Sequence, residues 1–300
     1  MLTDLLQEST FKDWNDRFFQ ADPSPLAVHY WTACQVELLA LKPGNVHLYA
    51  DGHGMTVDHF LASAYATASK LTDSKLSLGE RALQSVIATR DAVSMNTNLG
   101  MILLCAPLAI AAEKASVSTL QQTVDDVIRE SDVQEAELIF QAIRMAAPSG
   151  LSTAKVNDVW ERARQGIYAI MKSAEANDMI ARQYVTEFAD VFEVGLNEVD
   201  EGVAQNLNQR DLALRIYLGF LSRFPDTHIV RQYGSAVAEN IRSEANSLYA
   251  EFCKLNSTQL MYDRLMDYDE NWKSREVNPG TSADLTVATL FAYQIKNAVN

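Results

Sequence analysis

Positive charge is scarce in this sequence. Lysine and arginine number 25 against 39 aspartates and glutamates, which gives a net charge of −14 and a pI near 4.8. Nucleic-acid binding and anionic-membrane binding both need a basic face, so we expect neither partner. A small anionic substrate is still compatible with this charge if a local group of cations, helix N-termini or a metal ion binds it.

Cysteines and long apolar runs are also few. The three cysteines, Cys34, Cys105 and Cys253, lie in mostly apolar contexts, so we expect reduced thiols and no disulfide framework. The longest apolar run begins at Leu99 and contains Pro107, and it is too short to span a bilayer. The acidic start of the chain lacks the basic segment of a signal peptide. These features predict a cytoplasmic protein with no membrane partner.

Nothing in the chain resembles a β-rich module. Apolar residues recur at three- and four-residue spacing instead of alternating. No long Gly-, Ser- or Pro-rich linker separates domains, and no fixed-period repeat indicates a solenoid. The sequence therefore predicts an all-α fold, a single compact multi-helix domain over residues 1–300. The predicted helices are 3–20, 25–41, 56–72, 78–94, 98–115, 118–130, 132–147, 155–176, 178–205, 209–223, 228–256, 257–270 and 282–298.

Several helix starts carry recognisable capping sequences. Ser24 before Pro25 predicts an N-cap followed by proline at the first helical position. In a capping box, a hydroxyl and the side chain three residues later satisfy two free amides reciprocally. The sequence predicts three such boxes: Ser77 with Glu80, Ser118 with Gln121, and Ser131 with Gln134.

Five polar segments interrupt the amphipathic pattern. Each alone fits a structural role, because caps and turns are commoner than active sites. Two of the segments, however, open very apolar helices, and buried helix N-termini bind anions through free amides and the helix dipole. The five segments are Glu37 with 42–45, then 51–60, 90–100, 224–234 and 278–285.

A polyphosphate such as ATP would suit these segments. Lys42 and Arg231 offer full positive charges to phosphate, while Glu37 and Asp226 could hold Mg²⁺ together with phosphate oxygens. The chain has no glycine-rich phosphate loop and no dinucleotide fingerprint. The familiar α/β nucleotide folds are thereby excluded.

In order and in residue type, these segments resemble those of the triphosphoribosyl-dephospho-CoA synthase family. Each match is weak alone, but the ordered set covers most of the chain, from about residue 30 to 298. The matching segments are Glu37, Lys42-Pro43-Gly44-Asn45-Val46-His47, His53-Gly54-Met55, Asn96-Thr97-Asn98-Leu99-Gly100, Asp226-Thr227-His228 and Pro279-Gly280-Thr281-Ser282-Ala283-Asp284-Leu285.

The resemblance implies an all-helical transferase of coenzyme biosynthesis that takes ATP and 3′-dephospho-CoA. The ribosyl C1′ of ATP moves to a ribose hydroxyl, adenine leaves and the triphosphate stays attached. The product is the precursor of the prosthetic group of an acyl carrier protein. Such a reaction needs charge neutralisation at the triphosphate, a carboxylate near the reacting carbon and a base for the attacking hydroxyl.

Site roles follow from this resemblance and from residue chemistry. Asp284 and His53 are the catalytic candidates, although Asp284 could also be a metal ligand or a helix cap. Glu37 and Asp226 are the candidate Mg²⁺ ligands. The expected partners are small-molecule nucleotides, and a homodimer is a further possibility. The predicted substrate-binding residues are Lys42, Asn45, Asn96, Thr97, Asn98, His228, Arg231, Gly280, Thr281 and Ser282.

Four positions depart from the family pattern. Leu99 stands where lysine is frequent, Gly54 where an acid is usual, Thr281 in place of glycine and His47 where aspartate is common. These changes leave the acceptor open. Two alternatives therefore stand beside the main prediction: another ATP-dependent transferase or ligase on the same fold, and a non-catalytic helical scaffold.

Overall fold

The computed structural model describes residues 9–114, 119–148, 158–255 and 258–298. Within these ranges the chain forms helices and loops and no strand, apart from two isolated β-bridges between residues 47 and 55. The apolar side chains of the helices form one continuous buried core. The predicted all-α fold is confirmed. No described helix is both long and apolar enough to cross a membrane.

The described helices are numbered in chain order. A single π-helical turn, Asp190–Gly195, leads directly into the tenth helix. The helices are α1 (Ser9–Gln20), α2 (Pro25–Leu39), α3 (Val57–Leu71), α4 (Leu78–Val93), α5 (Leu99–Lys114), α6 (Leu120–Glu130), α7 (Val133–Ala146), α8 (Ile167–Ala174), α9 (Met179–Val185), α10 (Leu196–Ala204), α11 (Gln209–Arg223), α12 (Thr227–Tyr233), α13 (Ser235–Leu255), α14 (Gln259–Ser274) and α15 (Gly280–Ala298).

Helix α5 lies at the centre of the fold. Every residue from 99 to 111 is buried, and burying each large apolar side chain contributes about 1.5–3 kcal/mol. Pro107 lacks the N–H that would bond the carbonyl of Leu103, and the Tyr184 hydroxyl donates to that carbonyl instead at 2.6 Å. Helix α15 packs against α2, α5 and α11. The first turns of α5 and α15 are therefore held by the most buried part of the molecule.

Two of the predicted helix starts are confirmed. Ser24 Oγ accepts from the amide of Ala27 at 3.2 Å, and Ser77 and Glu80 form the reciprocal capping box. The box predicted at Ser131 is wrong by one residue.

The start of α7 is capped by the residue after that serine. Asp132 is the N-cap and accepts from the amide of Glu135 at 2.9 Å, since a carboxylate also favours the positive end of the helix dipole. Ser118 lies outside the described residues, and α6 begins after Thr119, which makes no side-chain cap.

Three predicted helices are shorter or divided. The helix expected over 155–176 is only α8, since 158–166 is irregular. The helix expected over 178–205 is interrupted where Glu187 and Phe188 take positive φ of 57° and 56°. The helix expected over 228–256 breaks at Gly234, whose φ is 84°. Hydrophobic periodicity continues through such local breaks, which explains why it did not reveal them.

Candidate active site

A cavity of about 1020 Å³ brings the predicted segments together. Its lining comes from the loop after α2, the first turns of α5 and α15, and helices α7, α8, α9 and α12, among others. Nine predicted site residues line it: Asn45, His53, Asn96, Thr97, Asn98, His228, Arg231, Gly280 and Asp284. The other five, Glu37, Lys42, Asp226, Thr281 and Ser282, are buried outside the lining.

The loop after α2 is held by the far end of the chain. The Tyr217 hydroxyl donates to the Pro43 carbonyl at 2.7 Å, and the Gly44 amide donates to Asp269 Oδ1 at 2.9 Å. Gly44 has a φ of 80°, and a Cβ there would lie 2.9 Å from Pro279 Cδ. Only glycine fits this left-handed conformation at such close approach. The glycine therefore fixes the loop against the segment that leads into α15.

Lys42 forms a buried ion pair with Glu37. Its ammonium group donates to the Glu37 carboxylate and, at 3.1 Å, to Asn45 Oδ1. Burial lowers the pKa of Lys42 and raises the pKa of Glu37, and the ion pair opposes both changes. Asn45 carries the contact onward, since its Nδ2 donates to Asn278 Oδ1 at 2.7 Å. Lys42 thus acts on the cavity through Asn45 and through its electric field.

Asp226 joins the first turns of α12 and α15. Its Oδ1 accepts from the amides of His228 and Ile229 at 2.8 and 3.3 Å. Its Oδ2 accepts from both the amide and the hydroxyl of Ser282 at 2.8 Å. The Thr281 hydroxyl adds a contact by accepting from the His228 amide at 3.1 Å. Both oxygens of Asp226 therefore bond to protein donors, and this caps two helices at once.

Asp284 is different because no described residue forms a hydrogen bond or ion pair with its carboxylate. The side chain lines the cavity and lies against the first turn of α5: a Cβ at Gly100 would be 2.0 Å from Asp284 Oδ2. Desolvation, and then the charges of Asp226 and Glu37, hold the pKa of Asp284 well above its ordinary value of 3.8. An unpaired carboxyl with a raised pKa in a cavity is typical of a catalytic acid or base.

The three residues before α5 offer polar groups beside this carboxyl. Asn96 Oδ1 accepts from the Leu99 amide at 3.1 Å, and the Thr97 hydroxyl contacts Ser63 Oγ at 2.6 Å. Asn98 Oδ1 accepts from the Thr89 hydroxyl at 2.9 Å, while its buried Nδ2 has no partner in the described part of the chain. A buried donor without an acceptor is costly, so a bound ligand oxygen would satisfy it.

Two histidines lie near the same end of the cavity. His53 Nε2 bonds to the Gly44 carbonyl at 2.8 Å, so this nitrogen carries the proton and Nδ1 is the available acceptor. The His228 ring lies beside Gly280, and burial lowers the pKa of His228. Both imidazoles are therefore placed to form hydrogen bonds with a ligand near the polar segments.

Sequence reasoning missed three polar lining residues, Arg90, Lys273 and Asn278. Lys273 pairs with the buried Asp269 at 2.8 Å, as the predicted Arg231 pairs with Asp178 at 2.7 Å. Arg90 lines the cavity and was not singled out, although it opens one of the five polar segments. Asn278 and Lys273 also lie in or near such a segment, but nothing local marks them as cavity residues.

Two observations bear on metal binding and on the departures from the family pattern. Within the described ranges no group of three or more His, Cys, Asp or Glu side chains could hold a metal ion by itself. Leu99 and Gly54 line the cavity, so the positions of the missing lysine and acid do face a ligand. His47 Nε2 lies 3.3 Å from Asp269 Oδ2 inside the protein and outside the lining.

The chain was compared with known proteins. A search of curated proteins found no match. A solved chain from Archaeoglobus fulgidus, assigned as a triphosphoribosyl-dephospho-CoA synthase, superposes with a TM-score of 0.60 at 22% identity, over 77% of this chain and 96% of that one, and so shares the fold. The profile of the CitG family, described as ATP:dephospho-CoA triphosphoribosyl transferase, matches residues 23–300. The resemblance read from the motifs is thus confirmed: the chain belongs to this family of coenzyme-biosynthetic transferases.

Proposed function

We propose that this protein transfers the triphosphoribosyl group of ATP to a ribose hydroxyl of dephospho-CoA and releases adenine. The observation that carries the proposal is the unpaired Asp284 carboxyl, which lines a cavity together with eight other predicted site residues. The family supplies the reaction class, and the cavity supplies one acid in the right chemical setting for glycosyl transfer.

Asp284 is the proposed base. The acceptor oxygen forms a bond to C1′ as the bond from C1′ to the adenine nitrogen breaks. The hydroxyl loses its proton to the Asp284 carboxylate, and the departing adenine nitrogen takes up a proton, so charge and atoms balance. A raised pKa suits this role because a base works best when its pKa lies near the operating pH. His53, with its free Nδ1, is the second candidate for handling a proton.

The triphosphate would lie against α5, α12 and α15. Helix N-termini attract phosphate through free amides, and the first turns of α5 and α15 both face the cavity at Gly100 and Gly280. Arg231 adds a guanidinium within this lining. Lys42 lies outside the lining, so its positive charge would act on the triphosphate only through its electric field. Thr281 and Ser282 hold the start of α15 in place through their bonds to α12 and Asp226.

Amide side chains would bind the hydroxyls of the ribose and the nitrogens of the base. Asn98 Nδ2 is a buried donor with no acceptor among the described residues, and Asn45, Asn96 and Thr97 line the same surface. His228, beside Gly280, completes this polar side. These groups suit the neutral, hydroxyl-rich parts of a nucleotide, because amides both donate and accept.

Magnesium is the cofactor that we propose for the phosphates. Desolvation, and then the carboxylates of Asp226 and Glu37, raise the pKa of Asp284, so this part of the cavity attracts a cation. Mg²⁺ is usually held by one or two carboxylates together with phosphate oxygens, and because Asp284 is the proposed base, the phosphates would supply most of the ligands of the ion. Glu37 and Asp226 would support the ion from behind, since their oxygens bind protein donors. The ion would neutralise charge on the triphosphate.

The direct test is incubation with ATP, Mg²⁺ and dephospho-CoA, with chromatography of the bases and mass analysis of the acceptor. Free adenine and an acceptor heavier by one triphosphoribosyl group are expected. ADP or AMP in place of adenine would show a different ATP-dependent transferase or ligase. If calorimetry detects no binding of ATP with Mg²⁺, the protein is a helical scaffold and the proposal is wrong.

We also assign the protein to the cytoplasm, where ATP and reduced thiols coexist. The three cysteines are free, and Cys34 and Cys105 are buried. A homodimer stays a prediction that light scattering of the purified protein tests directly.

A further inference from the structure

One end of the cavity is almost entirely apolar. Helices α7 and α8 contribute no charged or polar side chain to the lining. We call this part the apolar arm; it is lined by Phe140, Ile143, Ala146, Ile170, Met171 and Ala174. A triphosphate cannot lie there, because burying phosphate charge against hydrocarbon carries a large desolvation cost.

Arg90 stands beside this arm. Its Nη1 donates to the carbonyl of Met145, near the end of α7, at 3.0 Å. A guanidinium has five N–H donors, so this bond leaves most of them available. The other two lining cations, Arg231 and Lys273, pair with aspartates, whereas Arg90 pairs with no acid in the described part of the chain. Arg90 is exposed as well as unpaired with any described acid, so its charge is available to a ligand where the apolar surface begins.

The cavity is also large for a small-molecule site. Its volume of about 1020 Å³ lies just above the roughly 300–1,000 Å³ range of such sites. A transferase must hold donor and acceptor at the same time, so that a unimolecular geometry replaces a collision. The polar segments around Asp284 already suit the donor. The rest of the cavity, which includes the apolar arm, is therefore available to the acceptor.

We infer that Arg90 and the apolar arm form the acceptor subsite, which takes a molecule with an anionic group next to a long uncharged tail. The inference rests on the proposed function and deepens it. Arg90 binds the anion with a planar guanidinium that matches phosphate geometry. The arm contacts the hydrocarbon groups of the tail, and its apolar area selects tailed acceptors over bare nucleotides.

Two substitutions test the two halves separately. Arg90→Gln removes the charge while keeping a polar side chain, and Arg264→Gln is its control, because Arg264 is an exposed arginine outside the cavity lining. Ala174→Leu fills the arm with three extra carbons from a residue that is only partly buried, and Ala176→Leu is its control, because Ala176 is exposed and outside the cavity lining.

Calorimetry measures ATP with Mg²⁺ and dephospho-CoA separately on each variant, and steady-state kinetics gives KM and kcat. We expect Arg90→Gln to weaken dephospho-CoA binding about tenfold, the size of one lost charge-assisted hydrogen bond. Ala174→Leu should weaken it by a similar factor, about tenfold. Binding of ATP should change less than about twofold in both variants, and both controls should match wild type.

A tail-less acceptor separates the two halves further. Adenosine 5′-monophosphate has the anion without the tail, so Arg90→Gln should weaken its binding and Ala174→Leu should leave it unchanged. If Ala174→Leu weakens ATP instead, the arm holds the adenine of the donor and the inference is wrong. It is equally overturned if wild type binds dephospho-CoA no better than the monophosphate.

Failure of this inference is distinguishable from failure of the proposed function. If wild type releases adenine but both variants keep the wild-type KM for dephospho-CoA, the reaction stands and the subsite is wrong. If the variants weaken dephospho-CoA binding as expected and wild type releases no adenine, the subsite stands and the reaction is wrong. Absence of any dephospho-CoA binding to wild type overturns both.

Discussion

Two acidic side chains in this protein, Glu198 and Asp284, have opposite surroundings. In the first group of contacts, which we call the Glu198 cluster, the carboxylate of Glu198 accepts from the Tyr249 hydroxyl at 2.7 and 2.8 Å. Its Oε1 lies 2.7 Å from an Arg223 nitrogen, and its Oε2 lies 2.9 Å from Arg215 Nε. The carboxyl of Asp284, in contrast, faces the cavity and no described residue bonds to it.

The contrast separates an acid that stabilises the fold from one that we propose to be catalytic. A buried carboxylate with two guanidinium partners and a hydroxyl donor ties α10, α11 and α13 together, and nothing further can approach it. A half-buried carboxyl without partners costs free energy in the folded protein, and a ligand bound in the cavity could supply the missing contacts. Each prediction below tests one side of this contrast.

Replacing Asp284 with asparagine should give the largest effect. Loss of a general base typically lowers turnover by about 10³-fold, and asparagine keeps the size of the side chain. Adenine release from ATP and dephospho-CoA should fall by that factor. Near-ultraviolet circular dichroism should stay unchanged, because no described residue depends on this carboxyl for a hydrogen bond. If Asp284→Asn keeps wild-type turnover, Asp284 is not the base, and the proposed difference in role between Asp284 and Glu198 is wrong.

Replacing Glu198 with alanine should affect stability and spare catalysis. Removing the acid leaves Arg215 and Arg223 without their shared partner, and breaking a buried ion pair costs about 3–5 kcal/mol. Urea unfolding monitored by circular dichroism measures this loss. The kcat of the molecules that remain folded should equal that of wild type. A stable Glu198→Ala protein with little activity would instead make the Glu198 cluster a second functional site.

Replacing Gly100 with alanine should act through Asp284. The added Cβ would lie 2.0 Å from Asp284 Oδ2, so the carboxyl must move. A displacement of about 1 Å in a catalytic group lowers turnover by roughly 10²-fold.

The double variant provides the control for Gly100. If the methyl group acts only by displacing Asp284, adding Gly100→Ala to Asp284→Asn should cause little further loss of adenine release, since the two changes share one target. Full additivity of the two losses would mean that Gly100 matters for another reason, such as close approach of a phosphate to the α5 amides.

Much of the fold followed from the sequence because it depends on local signals. The apolar run after Leu99 predicted a core helix, and Ser24 and Ser77 marked helix starts through contacts three residues away. The breaks at Glu187 and Gly234 were missed, because positive φ at a single residue leaves the apolar spacing on either side unchanged.

The site was predicted less completely because its chemistry depends on distant partners. Motif order identified the segments that line the cavity. It could not reveal that Lys42 forms an ion pair with Glu37 or that Asp226 bonds to Ser282. Those pairings span up to 56 positions in the chain. Arg90 shows the converse case, because a lone arginine near a helix end gives no sign that it faces a cavity.

The smallest effect that we predict is a pH dependence of stability in Asp284→Asn. The raised pKa of Asp284 means that the folded protein holds this proton more tightly than the unfolded chain, whose carboxyl titrates near 3.8. Above that pH the unfolded state loses the proton first, so the acid contributes stability that is lost as pH rises toward the folded pKa, with a slope of at most about 1.4 kcal/mol per pH unit.

Asparagine carries no such proton. Urea unfolding between about pH 4 and 7 should therefore show Asp284→Asn gaining on wild type as pH rises, while Asp91→Asn, at an exposed position, should run parallel to wild type. Curves for Asp284→Asn and wild type that keep a constant separation would mean that Asp284 is compensated in the folded protein, and the contrast with Glu198 would disappear.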